Sequence, residues 1–541
     1  MAFSFRGLEL HGDRMWDRGN ILRALDEVRR RDMTALVLHE GDLLNAVLFP
    51  RAFFDPYAAW SGAPPRRGEN AIQNNRVYLD HVLRLADKRG VPVWLEIKEL
   101  TFPDEVLEMR PSLIRDGVVC PSDPFWVEFV EARTRELFAD FPDVAGLIVS
   151  PGSPEGRASP AQGKCRCERC QSLKLEDWYR DLLAALHRPA SAAGKPLAVR
   201  DFAYRPKDHG PLLKALEGLP RDIILCAKVT PHDFYPTFPD NPAVTRTDRP
   251  LWIEYDVLGQ FYGWGLMPCL VRDDIERRIR HAVAAGATGG VFRIEWERIN
   301  DLWVLETANA MNLIAAAALS KGDTPDTEAI CATWLREEGL DPAAAPWLSG
   351  IMAKTWGVIS RTLYIDDFVF ADCSMFPRSV GRAWWTMERK HSLSEWDRSR
   401  AEDLRLDRAR LDELLAEKTT AMNQMQALMA LVNSPPAGVS AVTASAVSGH
   451  FRLLPIYVEG LTLCAAVCLL VRACETDAEL APRLRKAIEA LEAFRPKVLP
   501  LATGGEERHQ MVMLMDFRRL DDIVAEARQT LNGLRVPATA E

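Results

Sequence analysis

The chain has 541 residues, more than a single hydrophobic core usually serves, so its length predicts two domains, one near the ~250 residues of a closed α/β barrel. Its 48% hydrophobic and 26% charged residues exclude disordered and fibrous classes. A formal charge of −9 from 67 basic and 76 acidic side chains leaves no cationic footprint for nucleic acid or an anionic membrane as partner.

From Met1 the sequence MAFSFRGLELHG runs into a strand pattern with no charged n-region, apolar h-region or cleavage site, so no export signal is expected. Eight β-rich runs follow: FRGLELHG (5–12), TALVLHE (34–40), VPVWLEIK (91–98), VAGLIVSP (144–151), PLAVRDFA (196–203), DIILCAK (222–228), PLWIEYD (250–256) and GGVFRIE (289–295). Amphipathic helical patterns such as ILRALDEVRRR and DDIERRIRHAVAAG separate most of them, each long enough for a right-handed crossover. Eight such units predict a (β/α)8 TIM barrel over residues 1–303. An open Rossmann-like sheet is the competing topology, but no G-x-G-x-x-G follows the first run to favour it.

Past residue 303 the strand signal stops and long helical patterns predict an all-α domain over 304–541. Within it NSPPAGVSAVTASAVSG (433–449) reads as a loop. The most apolar stretch, Leu461 to Val471, spans 11 residues and reads as a buried helix, short of a membrane span. Eleven cysteines, an odd number, fit reduced thiols, which together with the missing export signal predicts a cytoplasmic protein.

The runs close on polar residues: His11, His39 with Glu40, Lys98, Ser150, Arg200, Lys228, Asp256 and Glu295. Barrel enzymes build their active sites at that end of the strands and in the loops beyond, so these residues predict one shared pocket. Charged residues also cap strands for stability, so each taken singly is ambiguous. The loop SPGSPEGRASP after the fourth run places Glu155 among Gly and Pro, Glu254 and Asp256 lie two apart and face the barrel interior, and Asp233 follows the sixth run. Several carboxylates at one mouth suit glycoside hydrolysis, which needs one acid to protonate the leaving oxygen and one carboxylate to activate water or attack the sugar. Arg200 and Lys228 end neighbouring strands, where they either tune those carboxylates, bind an anionic sugar substituent, or form internal salt bridges with Asp201, Asp233 or Asp256.

These words in order, PDVAGLIVSPGSPEGRASP, PLAVRDFAY, IILCAKVTPHDF, EYDVLGQ and ALSKGDTPDTEAICATW, give the chain a resemblance to the α-glucuronidases of glycoside hydrolase family 67. The resemblance implies an inverting, exo-acting enzyme that releases terminal glucuronic acid, or its 4-O-methyl form, from an oligosaccharide, with no cofactor in the chemistry. It makes Glu155 the general acid, Asp233 and Asp256 the base, Arg200 the contact to the uronate carboxylate, and Lys228 the substrate-binding lysine that stands five residues before the catalytic Asp233. It also implies a homodimer through the helical domain. Two departures stand out: Pro151 occupies the place of a family lysine, with Arg157 as a replacement, and the family's amino-terminal β-sandwich has no counterpart before the first run at residue 5. Glu254, His39, Glu40, Tyr204 and Glu295 complete the predicted site, as catalytic (Glu254) or substrate-binding groups.

KCRCERC supplies Cys165, Cys167 and Cys170, three thiols that suit a soft metal such as zinc, with Cys120 or a histidine as fourth ligand. A structural zinc, unligated thiols and a catalytic zinc are the readings open at this level. Trp16, Tyr204, Tyr255, Phe261, Tyr262 and Trp264 are candidates for sugar stacking or for the core. In FPRSVGRAWWTMERKH (376–391), Arg378, Arg382, Trp384, Trp385 and His391 break helical period and fit a segment folded over the pocket, a dimer contact or a solvated face. The rival functions are an exo-glycosidase for another sugar, a zinc-dependent barrel hydrolase, and a sugar-binding protein without turnover.

Overall fold

The computed structural model describes residues 2–54, 71–153, 155–201, 206–296, 302–503 and 514–534. Eight parallel strands close into a barrel: β1 (Phe5–His11), β2 (Ala35–His39), β3 (Val93–Glu99), β4 (Val144–Pro151), β5 (Leu197–Arg200), β6 (Ile224–Lys228), β7 (Leu251–Asp256) and β8 (Gly289–Arg293). The closing pair sets Glu9 of β1 opposite Arg293 of β8, and His11 of β1 faces His39 of β2. Each predicted run forms its strand, although β5 stops at Arg200; Tyr204 lies outside the described residues.

The strands are apolar on both faces because one face meets the surrounding helices and the other fills the barrel. Val37, Trp94, Ile148, Ala198, Cys226, Trp252 and Val291 form one internal cluster with Phe5 packed against it. The Phe5 ring stacks on Trp252 at 3.7 Å and meets the Trp94 ring edge-on at 5.2 Å. Two glycines make room for this plug: a Cβ on Gly146 would sit 2.4 Å from Trp94, and one on Gly289 2.4 Å from Trp252. Filling the amino-terminal end with large rings leaves the polar strand residues gathered at the carboxyl-terminal end.

The helix Ala310–Lys321 follows β8 and packs against that strand and the helix Arg272–Ala284. Phe3 N donates to Ser320 O at 2.8 Å, tying the start of the chain to this helix. It is therefore the last helix of the barrel, whereas the sequence reading placed it in the helical domain. The cause is its all-round burial between barrel and helical layer, which erases the amphipathic pattern of the other crossovers.

The helical layer is built around Leu454–Cys474, which packs against Arg408–Val432, Ala481–Thr503 and Phe517–Gly533. Residues 441–474 include a window long and apolar enough to cross a membrane, and 72% of that window is buried inside the protein. One predicted loop is corrected. Residues 433–449 contain the start of a helix, Ala441–Phe451, whose N-cap Ser440 accepts from Thr443 N at 3.1 Å. Pro435 and Pro436 interrupt the chain after Val432, and the cap restarts it; the run of small residues hid the signal.

From this layer residues 364–391 reach over the barrel mouth. Tyr364 Oη donates to Phe261 O at 2.8 Å, Ser374 Oγ donates to Gln260 O at 2.7 Å and accepts from Gly263 N at 2.9 Å. The loop after β7 is thus bonded directly to the helical region.

Candidate active site

Period-two geometry on eight strands turns Glu9, His39, Glu96, Arg200, Glu254 and Arg293 toward one another above the apolar plug. Arg200 grips Glu254 through two contacts, Nε to Oε2 and Nη2 to Oε1 at 2.6 Å, and its Nε lies 3.2 Å from Glu96. The Arg200 and Glu254 side chains are only 1% and 0% exposed. Burial alone would raise the Glu254 carboxyl, but Arg200 outweighs it and holds the group below the usual range. Glu96 is pushed up to about 7 by burial, with Arg200 opposing. His39 lies 2.7 Å from Glu9 and 3.4 Å from Glu96, and burial drives its imidazole well below the ordinary value.

This layer is a sealed ion-pair network. Arg200, assigned to a uronate carboxylate, is committed to Glu254 and Glu96, and the internal salt-bridge alternative is the one realised, with glutamates in place of the aspartates foreseen. Glu254 and His39 are likewise buried. The two-residue spacing that pointed Glu254 inward was legible; which cation it would meet was not.

Asp256 sits one layer higher, equally buried, 3.3 Å from Arg293 and accepting from Gln260 N at 2.8 Å. Burial raises its carboxyl, with Arg293 opposing. Asp233, just past β6 on a left-handed residue (φ 45°), keeps 21% of its side chain exposed and lies 3.1 Å from Lys228 and 3.5 Å from His232. Burial would raise it, but Lys228 and His232 outweigh burial and hold it well below the carboxylate range. Lys228 therefore faces Asp233, as one sequence alternative had it.

Glu155 stands on the loop after β4, 41% exposed, in contact with Lys98 Nζ. Lys98 also lies 4.6 Å above the ring of Trp296, on which His11 stacks at 4.1 Å and over which Arg293 sits at 4.8 Å. Arg293 in turn contacts the Phe234 ring at 4.6 Å, and Lys228 the same ring at 5.1 Å. An unbroken chain of contacts, Lys98, Trp296, Arg293, Phe234, Lys228, thus joins Glu155 to Asp233 around the barrel mouth.

The remaining predicted residues divide. Glu40, at the end of β2, is pushed up to about 7 by burial and by Asp42, against the pull of Lys98. Glu295 is buried on Arg14, accepts from Trp296 N at 3.0 Å, and is also raised by burial to about 7. Arg157 turns away, to Asp104 at 2.5 Å and Phe102 O at 2.6 Å, so it does not replace the family lysine missing at Pro151. Among the aromatics, Tyr255 donates to Asp274 at 2.7 Å outside the barrel, Trp16 packs on Tyr78, and Phe261 and Tyr262 are core.

The helical region adds a second shell of charge that sequence reasoning missed, except for the segment around His391. His391 Nδ1 lies 3.0 Å from His232 Nε2, and its Nε2 lies 3.2 Å from Asp372, which also pairs with Lys390 at 2.9 Å. Burial opposes ionisation of Asp372, but His391 and Lys390 win and depress its carboxyl far below the usual range. A cavity of about 320 Å³ opens beside Trp296 and Gln260, walled by Arg378, Arg382, Lys390 and Arg519, and Asp372 is the one acidic side chain among its described lining residues. Arg293 and Trp296 had a sequence signal, being two residues before and one after the flagged Glu295, and Lys390 lies within the flagged segment 376–391; Asp372 had none, because it arrives from the helical region more than 70 residues later.

The four cysteines singled out in the sequence converge into one cluster beside the β4 loop, with Cys120 as the fourth member.

No protein-family model matches the sequence, and no curated protein matches it. Solved structures similar to it include a GH20 exo-β-N-acetylglucosaminidase from Vibrio harveyi (TM-score 0.42, 14% identity, covering 63% of this chain and 59% of that one). A β-N-acetylhexosaminidase from Bacteroides fragilis aligns with TM-score 0.41 at 15% identity, covering 62% of this chain and 70% of that one. The catalytic domain of a β-amylase from Paenibacillus polymyxa aligns with TM-score 0.35 at 10% identity, over 54% of this chain and 93% of that one. The chain therefore spans less than two thirds of the first of these.

Proposed function

We propose that this protein is an exo-acting glycoside hydrolase that releases a terminal acidic sugar, glucuronic acid or its 4-O-methyl form, from an oligosaccharide. The observation that carries the reading is the pair of carboxylates left accessible at the barrel mouth: Glu155 and Asp233 keep 41% and 21% of their side chains exposed, whereas Glu254 and Asp256 are sealed. Asp233, held ionised by Lys228, suits the base that takes a proton from the attacking water. Glu155 suits the acid once substrate displaces Lys98 from it, the freed carboxylate taking up a proton from solvent and delivering it to the glycosidic oxygen. Trp296 offers a ring for the sugar face, and the arginines of the neighbouring cavity supply the anion contacts that Arg200 is too occupied to make. The glucuronidase assignment and the inverting outcome rest on the sequence resemblance to family 67.

A second acid is favoured by one observation. Glu40, near Lys98, is raised to about 7, so that about half of these carboxyl groups carry a proton at neutral pH. The deciding experiment compares Glu155→Gln and Glu40→Gln on an aryl α-D-glucuronide and on an oligosaccharide with a poor leaving group. The acid variant should lose roughly 10²–10⁴-fold on the poor leaving group and much less on the activated aryl glycoside. Turnover of neutral aryl glycosides with none of the uronide would reassign the sugar. Full activity in both variants would remove both carboxyl groups from the chemistry.

A further inference from the structure

We propose that Cys120, Cys165, Cys167 and Cys170 bind one zinc ion as a closed tetrathiolate, which pins the loop after β4, carrying Glu155, to the loop after β3. The four Sγ atoms all lie within 4.8 Å of one another, and Cys120 Sγ is 3.6 Å from both Cys167 Sγ and Cys170 Sγ. A tetrahedral zinc with Zn–S bonds of ~2.3 Å requires S···S edges of about 3.8 Å, so the cluster already has the dimensions of the site with little adjustment. Four sulfurs and no carboxylate select a soft, tetrahedral metal over calcium or magnesium.

The surroundings fit thiolates. Ser122 Oγ lies 3.0 Å from Cys170 Sγ and 3.3 Å from Cys120 Sγ, so its one hydroxyl hydrogen can be donated to either sulfur, and Cys170 N–H points at Cys167 Sγ at 3.5 Å. Lys164, Arg166 and Arg169 interleave with the ligands and offset the net charge of about −2 that four thiolates leave on zinc. Cys120 is rigidly held: its N donates to Leu113 O at 2.8 Å and its carbonyl accepts from Trp126 Nε1 at 2.8 Å. Pro121 O accepts from Trp178 Nε1 at 2.9 Å, which fixes the same turn to the helix Leu175–Ala192.

The site has a mechanical purpose that does not depend on which sugar the protein cleaves. Between β4 and that helix the described chain has only two short helical turns, Pro160–Gln162 and Glu168–Ser172. Contacts that tie it down include Arg157 N to Leu100 O at 2.8 Å and Ser159 Oγ to Gly152 O at 2.6 Å, and the metal would add a covalent anchor at its far end. With all four positions filled by protein sulfur no place remains for water or substrate, so the ion is structural.

The test is elemental analysis of the full-length protein, purified under reducing conditions without added metal. One zinc per chain is expected, falling to below about one fifth in Cys167→Ser and in Cys170→Ser. Cobalt(II) reconstitution of the demetallated wild type should give the intense visible bands of a tetrahedral thiolate site. Zinc removal should also open the segment between residues 152 and 170 to limited proteolysis. A zinc-free wild type whose four thiols react freely with a disulfide reagent, a disulfide from Cys120 to Cys167 or Cys170 found by mass spectrometry, or iron in place of zinc would each overturn the assignment. Because wild-type metal content decides the matter by itself, a cysteine variant that fails to fold does not obscure the result.

Discussion

Replacing Arg200 separates a structural arginine from a substrate-binding one. In Arg200→Met the Glu254 carboxylate, 0% exposed, loses both of its contacts, and Glu96 loses the cation 3.2 Å away. Breaking a buried pair from one side costs about 3–5 kcal/mol, because the remaining charge stays in a medium that cannot solvate it. Urea unfolding followed by near-ultraviolet circular dichroism at pH 8 should show a loss of that size. The sign of its pH dependence follows from Glu254, which in the wild type is held below the unfolded value by Arg200. Without Arg200, burial lifts the folded value above the unfolded one, the folded state then binds more protons, and stability falls as pH rises. The deficit should therefore shrink between pH 8 and pH 5. Arg200→Met/Glu254→Gln, which removes the orphaned charge, should recover about half or more of the loss. A deficit below about 1 kcal/mol, accompanied by a raised KM for an acidic substrate only, would refute the sealed-network account and return Arg200 to the substrate.

Gly146→Ala should destabilise by about 1–3 kcal/mol, since its Cβ would lie 2.4 Å from Trp94; pairing it with Trp94→Phe should relieve part of the loss, and full stability of the single variant in urea would contradict the plug. Trp296→Ala should raise KM roughly tenfold, about 1.4 kcal/mol, through loss of the ring that His11, Lys98 and Arg293 hold in place, and an unchanged KM would exclude sugar stacking there. Glu295, buried and raised from 4.5 to about 7, burdens the folded state increasingly as pH climbs through that interval. The stability of Glu295→Gln relative to wild type should accordingly rise by an amount on the order of 3 kcal/mol between pH 4 and pH 8, and a pH-independent difference would count against the buried-acid assignment.

The barrel was legible because parallel strands buried on both faces read as short apolar runs, and because each run ended in polar residues at the end where a barrel keeps its chemistry. Glu155, Asp233 and the Cys120 cluster were found from loop composition and cysteine spacing, which are local properties. What sequence could not decide was which charge meets which. Arg200 and Glu254 are 54 positions apart, and only closure of the barrel made them neighbours in its buried interior, turning an expected ligand contact into a buried ion pair. The same holds for Asp372, Lys390 and His391, which belong to the helical region and acquire meaning only once that region folds over the mouth and sets His391 3.0 Å from His232. Periodicity and turn chemistry act over a few residues and so are written along the chain, whereas electrostatic partnership depends on distance and desolvation, and both are fixed by the three-dimensional packing.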